Sequence, residues 1–146
     1  MVEIRFTVDG LPPKKGGDLS MWGPQKGAEV KRLILLRRAA VAAMEKDGPS
    51  RPFSRNISLS LEVRVARNDR TTGDLDTFVA GICDGLMQAG RRAAIDPSWD
   101  SQPDKIHPKK TIAIKDDSEV MSIQARKRVD PRAGKGHYTV TISGEV

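Results

Sequence analysis

Residues 57–89, ISLSLEVRVARNDRTTGDLDTFVAGICDGLMQA, contain the two segments that decide the fold. Apolar and polar residues alternate strictly over 57–65, which predicts a strand with one buried face. After the polar loop 66–73, apolar side chains recur at helical spacing over 74–89, and Gly90 follows as a plausible C-cap. A strand followed by an amphipathic helix is typical of a sheet that is covered by helices.

The residues before this stretch predict a second strand and a second helix. Residues 3–9 alternate and end at Gly10, which predicts a strand that leads into a loop rich in Gly, Pro and Lys. Residues 28–46 are strong helix formers and stop before Asp47-Gly48. The predicted apolar face of that helix consists of Val30, Leu33, Ile34, Val41 and Met44. The basic residues of the helix lie largely on its other sides, and they are Lys31, Arg32, Arg37 and Arg38.

The residues after this stretch predict a long loop and then two strands. Residues 91–110 contain three prolines and no sustained periodicity, which indicates a long loop or an inserted flap. Residues 119–129 and 137–145 are predicted strands, and the turn 130–136 between them predicts a hairpin. The order β-α-β-α-β-β predicts a single α+β domain over residues 1–146, with a mixed sheet covered by helices.

Composition bounds the class of protein. A chain of 146 residues suits one domain, and its 4% aromatic content leaves aliphatic side chains to fill most of the core. The single cysteine, Cys83, cannot form an internal disulfide, which fits a reducing compartment. The first residues lack the apolar block of a signal peptide, and no apolar stretch approaches the roughly 20 residues that span a bilayer. We therefore expect a cytoplasmic protein with no membrane partner.

The net charge of +6 is unevenly distributed along the chain. The whole excess of Lys and Arg lies within residues 1–73, whereas residues 74–146 are balanced. A basic half is compatible with a polyanion such as DNA, because Lys and Arg neutralise phosphates. A solvated basic surface explains the same composition equally well, so charge permits nucleic-acid binding without establishing it.

Acidic residues cluster at two predicted element starts. Asp74 and Asp76 lie at the beginning of the predicted helix 74–89, and Asp116 and Asp117 precede the strand 119–129. Each pair has an ordinary structural explanation, because Asp commonly caps helices and forms turns. Together they suggest Mg²⁺, which prefers hard oxygen ligands, provided that the helix start and the strand start meet at one edge of the sheet.

The run DLDTFVAGICDGLMQAG, residues 74–90, followed by DDSEV, residues 116–120, resembles the RusA-type Holliday junction resolvases. In that family an Asp-x-Asp-Asn helix start is followed by a Lys and then by Asp-Asp on the next strand. The resemblance implies a homodimeric, Mg²⁺-dependent endonuclease (Mn²⁺ is the possible alternative ion) that cuts four-way DNA junctions in recombination and repair. It places the essential acids, which would ligate the metal, on Asp74, Asp76 and Asp117, with Asp116 as a further candidate ligand.

The chain departs from the family pattern at two positions and in one spacing. The family's Asn is Thr77 here, and the family's Lys, one helical turn after the second Asp, is Ala80. Residues 91–110 also separate the helix from Asp116-Asp117 by more than the family's usual few residues. Either another cation replaces the Lys, or the protein binds junctions without efficient cleavage. The nearest candidates for that cation in the sequence are Arg70, Lys109, Lys110 and Lys115.

Several basic side chains are candidate phosphate contacts. Lys14, Lys15 and Lys26, with Trp22 between them, form a basic loop that could bind phosphates and stack on a base, although Trp22 is equally suited to covering the core. Arg67 and Arg70 could follow a DNA backbone into the site, and Lys115 adjoins the second acidic pair. For Trp99 and Cys83 the simpler expectations are a packing anchor and a buried thiol.

Overall fold

The computed structural model describes residues 2–15, 20–68 and 72–146. Its two helices and four strands follow the predicted order β-α-β-α-β-β, and the α+β class with a mixed sheet is confirmed. The elements are β1 (Val2–Asp9), α1 (Gly27–Asp47), β2 (Arg55–Val65), α2 (Leu75–Leu86), β3 (Val120–Val129) and β4 (His137–Glu145).

The sheet has the strand order β1-β4-β2-β3. β4 pairs antiparallel with both β1 and β2, and β3 pairs parallel with β2. The predicted hairpin between the last two strands is therefore wrong, because β2 lies between them. Burial explains why β4 is a central strand and β3 an edge strand. Tyr138, Val140 and Ile142 of β4 are fully buried, whereas β3 is exposed along most of its length.

One face of the sheet forms the core. The alternating residues predicted for β2, from Ile57 to Val65, are all buried there, beneath Phe78, Ile82 and Leu86 of α2. The opposite face carries mainly polar side chains, such as Arg5 and Ser60, that remain exposed. The sequence pattern therefore identified the buried face of this strand correctly.

α2 ends earlier than predicted, at Leu86, so Gly90 is not its C-cap. The carbonyl of Leu86 accepts hydrogen bonds from the backbone N–H groups of residues 112–114 at 3.1–3.3 Å. Residues 112–114, which follow the 91–110 loop, thus provide donors for the Leu86 carbonyl. A further turn of α2 would otherwise have provided that donor.

Arg37 corrects the prediction for α1, because its side chain is fully buried instead of lying on the polar side. The guanidinium donates five hydrogen bonds of 2.5–3.0 Å to backbone carbonyls, and it lies 5.1 Å from the ring centroid of Trp22. The acceptor carbonyls are those of Gly85, Met87, Ile106, His107 and Lys110. Burial lowers the pKa of Arg37 to about 9, so the group is still charged at neutral pH and the carbonyl dipoles compensate that charge.

The 91–110 segment packs against α1 as an irregular but anchored loop with two short 3-10 helices, Pro97–Ser101 and Asp104–Ile106. Trp99 is fully buried against Trp22, with ring centroids 5.8 Å apart, and its Nε1 donates a hydrogen bond to the Trp22 carbonyl. The expected packing role of Trp99 is confirmed, and Trp22 covers the core.

No helix within the described ranges is both long enough and apolar enough to cross a membrane.

Candidate functional site

Asp74 and Asp76 lie at the start of α2, as predicted, with their side chains exposed. Asp74 occupies the N-cap position, yet its carboxylate makes no capping hydrogen bond. Thr77 donates from its hydroxyl to the Asp74 backbone carbonyl at 2.8 Å. Neither carboxylate pairs with a cation or accepts a hydrogen bond anywhere in the described part of the chain. The Asp74 side chain therefore does not cap α2, and the carboxylates of Asp74 and Asp76 are both available to bind a ligand.

A basic cleft of about 410 Å³ opens beside the first turn of α2. Lys14, Lys15 and Lys26 line it together with Thr77 and the first turn of α1, and we call it the lysine cleft. Glu29 also contributes to the wall, where it accepts a hydrogen bond from the Lys14 backbone N–H and pairs with Arg32. Three lysines near a helix N-terminus favour an anionic group such as a phosphate.

Lys15 reaches the face of α2 that carries Ala80, where the family pattern has a Lys. Its backbone N–H donates to the Thr77 carbonyl at 3.3 Å, and its Nζ lies 2.8 Å from Asp84 Oδ2, so the residue spans the positions on either side of Ala80. The hydrogen bond to Asp84 and the charges of Asp84 and Asp117 raise the pKa of Lys15. The cation that contacts α2 here comes from the loop after β1, and its ammonium lies at Asp84, one helical turn beyond Ala80.

The other candidates for that cation have different surroundings. Lys110 pairs with Asp104 at 3.6 Å, and Lys109 is exposed on the 91–110 segment. Lys115 is exposed next to Asp116, and Arg70 lies outside the described residues. Among the described candidates, the residue shown to contact α2 is Lys15, which sequence reasoning assigned only to phosphate binding.

Gly81 allows the loop after β1 to approach α2. A Cβ at this position would lie 2.0 Å from the Pro13 carbonyl oxygen, which is backbone and cannot rotate away. We expect Gly81→Ala to displace residues 13–15, to separate Lys15 from Asp84, and to cost about 1–3 kcal/mol of unfolding free energy. Thermal unfolding and the NMR shift of the Lys15 amide measure the two effects.

Gly90→Ala is the matched control for this substitution, because its Cβ would meet no atom within 4 Å. It should leave both the unfolding midpoint and the Lys15 amide unchanged. An unchanged midpoint and amide shift in Gly81→Ala would contradict the close contact.

Asp116 and Asp117 lie at the opposite end of α2. The Asp116 carboxylate accepts a hydrogen bond from the Ser118 N–H at 2.9 Å, which lowers the pKa of Asp116, so this residue caps the short 3-10 helix Asp117–Glu119. Asp117 is exposed, and its negative charge adds to the Asp84 hydrogen bond that raises the pKa of Lys15 and to the burial that raises the pKa of Cys83. Asp117 therefore lies near the second half of α2.

The parallel pairing of β2 and β3 explains this separation. A helix that connects two parallel strands runs antiparallel to them, so its start lies over their C-terminal ends. Lys127 near the end of β3 shows this directly, because its Nζ donates to the Gly73 carbonyl just before α2 at 3.0 Å. Asp117 precedes the start of β3, and α2 is about 18 Å long.

A single chain consequently does not assemble the predicted metal ligands. Among the residues that the structure describes, no three His, Cys, Asp or Glu side chains are close enough to hold a metal ion. The expectation that the helix start and the strand start share one sheet edge fails within one chain. The donor types at Asp74, Asp76 and Asp117 suit Mg²⁺, but their placement in one chain does not.

The remaining predicted residues divide between the two ends of the sheet. Arg67 follows β2, at the end where Asp74 lies, and lines a small cleft of about 180 Å³ with Lys135. Lys115 lies at the other end, beside Asp117. Cys83 is buried, and burial raises its pKa to about 11, as expected of an inert thiol.

Sequence reasoning missed the contacts of Asp84 and Lys127. Asp84 on α2 pairs with Lys15 of the loop after β1, and Lys127 of β3 donates a hydrogen bond to the Gly73 carbonyl just before α2.

The sequence matches no protein-family model and no curated protein. Function therefore has to be inferred from the geometry of the described residues.

Proposed function

We propose that this protein binds four-way DNA junctions in the cytoplasm and cuts them as a Mg²⁺-dependent, RusA-type endonuclease in recombination and repair. One observation carries the proposal: Asp74 and Asp76 are exposed at a helix start, next to the lysine cleft, and have no structural partner among the described residues. Exposed carboxylates beside a basic cleft are suited to phosphodiester chemistry.

The lysine cleft supplies the binding part of the proposal. Lys14, Lys15 and Lys26 can neutralise phosphates of one strand and hold that strand against the first turn of α2. Arg67 lies at the same end of the sheet and could extend the basic path. These contacts would be to the DNA backbone and not to the bases, which suits a protein that recognises a branched shape.

Asp74 and Asp76 supply the hydrolytic part. Mg²⁺, when bound, would lower the pKa of a water and offset charge on the phosphate. Two carboxylates of one helix start are a partial ligand set, and Asp117 of the same chain lies too far along α2 to complete it. No catalytic step follows from one chain alone.

A non-catalytic junction-binding module is the competing function. The dispersed carboxylates and Ala80 favour it. Lys15 favours the nuclease, because it brings a cation, paired with Asp84, to the helix on which the family pattern has its Lys.

A labelled four-way junction incubated with the protein in Mg²⁺ or Mn²⁺ distinguishes the two functions. We expect paired nicks that Asp76→Asn slows at least about 100-fold, the upper end of the cost of losing a residue next to a metal ligand. Asp104→Asn, whose side chain is 88% exposed on the 91–110 segment, is the control and should cut at the wild-type rate. A gel shift without nicking would support the binding module and reject the nuclease.

Salt dependence tests the lysine cleft separately. The double variant Lys14→Ala/Lys15→Ala should bind more weakly and reduce the slope of log affinity against log salt by about 2. Lys105→Ala, an exposed lysine on the 91–110 segment, should leave the slope unchanged. Equal slopes for wild type and the double variant would place the phosphate contacts elsewhere.

A further inference from the structure

A groove runs along the second half of α1, between this helix and the segment 103–112. It consists of two neighbouring pockets of about 270 and 470 Å³, which share Val41, Glu45 and Lys105 in their walls. Along the helix the lining residues extend from Arg38 to Gly48, a length of about 15 Å. We call this feature the α1 groove.

The floor of the α1 groove is apolar. Val41 and Met44 of α1 are half-buried, and Ile106 and Ile112 of the facing segment are buried. Three prolines also line the groove, and they are Pro49, Pro52 and Pro103. A lining of this kind is suited to apolar side chains of a ligand, because such side chains leave water when they enter it.

The rim of the α1 groove is mainly basic. Among the described lining residues, Arg38, Arg51 and Lys105 are basic and Glu45 is acidic. Glu45 and Lys105 pair across the groove at 3.3 Å, but both side chains are about 60% exposed, so the pair contributes little and can open. Arg51 is exposed and pairs with no carboxylate in the described part of the chain. The rim therefore complements a ligand that carries negative charge.

A buried side chain holds the two walls of the groove together. Arg37 of α1 donates hydrogen bonds to the carbonyls of Ile106, His107 and Lys110, which belong to the facing segment. The groove is thus formed before any ligand binds, and a ligand does not have to order its walls.

We propose that the α1 groove binds a short acidic segment of another protein, in an extended conformation, with alternate apolar side chains in the two pockets. An extended chain rises about 3.3 Å per residue, so about five residues cover the groove. Side chains two residues apart point to the same side and can both reach the floor, while the carboxylates between them lie within reach of Arg51 and Lys105.

DNA complements the α1 groove less well than an acidic peptide does. A DNA backbone presents negative charge but no apolar side chains, so it would leave Val41, Met44 and Ile112 uncovered. The lysine cleft also lies at the first turn of α1, whereas the groove follows its second half. A peptide in the groove and DNA in the cleft could therefore be bound together, and the peptide site does not depend on the proposed function.

Fluorescence anisotropy with a labelled peptide tests the groove. The peptide DLDLE, with fluorescein at its start and an amide at its end, should bind with a dissociation constant of about 10–100 µM, as in small transient contacts. The peptides DSDSE and KLKLK each lack one of the two required properties and should bind at least about tenfold more weakly. No saturable binding of DLDLE up to about 1 mM, or equal binding of either comparison peptide, would overturn the proposal.

A charge reversal at the rim locates the bound peptide. Arg51→Glu should weaken DLDLE binding at least about tenfold, because an attraction at the rim becomes a repulsion. Arg91→Glu makes the same change at an exposed arginine that lines neither pocket, and it should leave the affinity within about twofold. Equal losses in both variants would mean that the peptide responds only to net charge, contrary to the proposal.

Filling the smaller pocket tests the apolar contact independently of charge. Ala42 is exposed and lines that pocket, so Ala42→Trp should occupy it and weaken DLDLE binding at least about tenfold. Leu35→Trp, at a residue of the same helix that is 46% exposed and lines neither pocket, is the matched control and should bind normally. An unchanged affinity of Ala42→Trp would place the peptide elsewhere.

Competition distinguishes a peptide site from a nucleic-acid surface. Unlabelled duplex DNA should not displace DLDLE from the wild-type protein, because the two ligands are expected at different parts of α1. Displacement that persists in Lys14→Ala/Lys15→Ala, where the lysine cleft is weakened, would identify the groove as a DNA surface and reject the peptide. A protein that binds DLDLE but no DNA would reject the proposed function and leave the peptide site standing.

Discussion

Arg37→Met should lower the free energy of unfolding by about 3–5 kcal/mol, the typical cost of removing one partner from a buried charged network. Methionine fills similar space along α1 but donates no hydrogen bond, so five buried or part-buried carbonyls between Gly85 and Lys110 lose the Arg37 donor. The end of α2 and the 91–110 segment should loosen together. Urea unfolding monitored by circular dichroism gives the stability, and hydrogen exchange locates the loosening.

Arg38→Met is the matched control on the next residue. Arg38 is exposed and donates one hydrogen bond to Gln102, so the substitution should change stability by less than about 0.5 kcal/mol. Arg37→Lys should be intermediate, because an ammonium group has three donors for five acceptors. A stability loss below about 1 kcal/mol for Arg37→Met would mean that water replaces the guanidinium, contrary to its full burial.

Trp99→Ala should cost about 3–5 kcal/mol, because it removes a fully buried tryptophan side chain and leaves a cavity under the 91–110 segment. Trp22 would lose the ring that packs against it at 5.8 Å and the donor to its carbonyl. Denaturant unfolding measures the loss, and near-ultraviolet circular dichroism reports whether Trp22 keeps an ordered environment.

Trp99→Phe separates packing from the hydrogen bond. It keeps most of the buried ring and should cost less than half as much as the alanine substitution. Since Arg37 and Trp99 anchor the same segment, the double variant Arg37→Met/Trp99→Ala should lose less than the sum of the single losses. Strict additivity would show that the two anchors act on independent parts of the loop.

Local pattern was sufficient for most of the element list. Strict alternation identified β2 and its buried face, and helix-forming residues before Asp47-Gly48 bounded α1 to within one residue of each end. The position of Asp74 and Asp76 at the start of α2 also followed from local sequence. These features depend on neighbouring residues along the chain, which is the information that periodicity contains.

The strand that pairs with each strand could be identified only from the tertiary structure. Residues 130–136 do reverse the chain, but a turn does not specify which strand lies alongside after the reversal. β4 lies between β1 and β2 because every second residue of β4 is buried, and a central strand has a neighbouring strand along each of its edges. β3 is left at the edge of the sheet. The separation of Asp117 from Asp74 follows from the parallel pairing of β2 and β3, which no local pattern indicates.

The sequence by itself determined the element types, the α+β class and the buried face of β2, because each arises from side-chain spacing along a short segment. Only the tertiary structure decided that Arg37 is buried, that Lys15 pairs with Asp84 and that the acidic residues occupy opposite ends of α2. Those properties depend on contacts between residues up to 73 positions apart, such as that of Arg37 with Lys110. Such contacts form only when the whole sheet and its loops pack together.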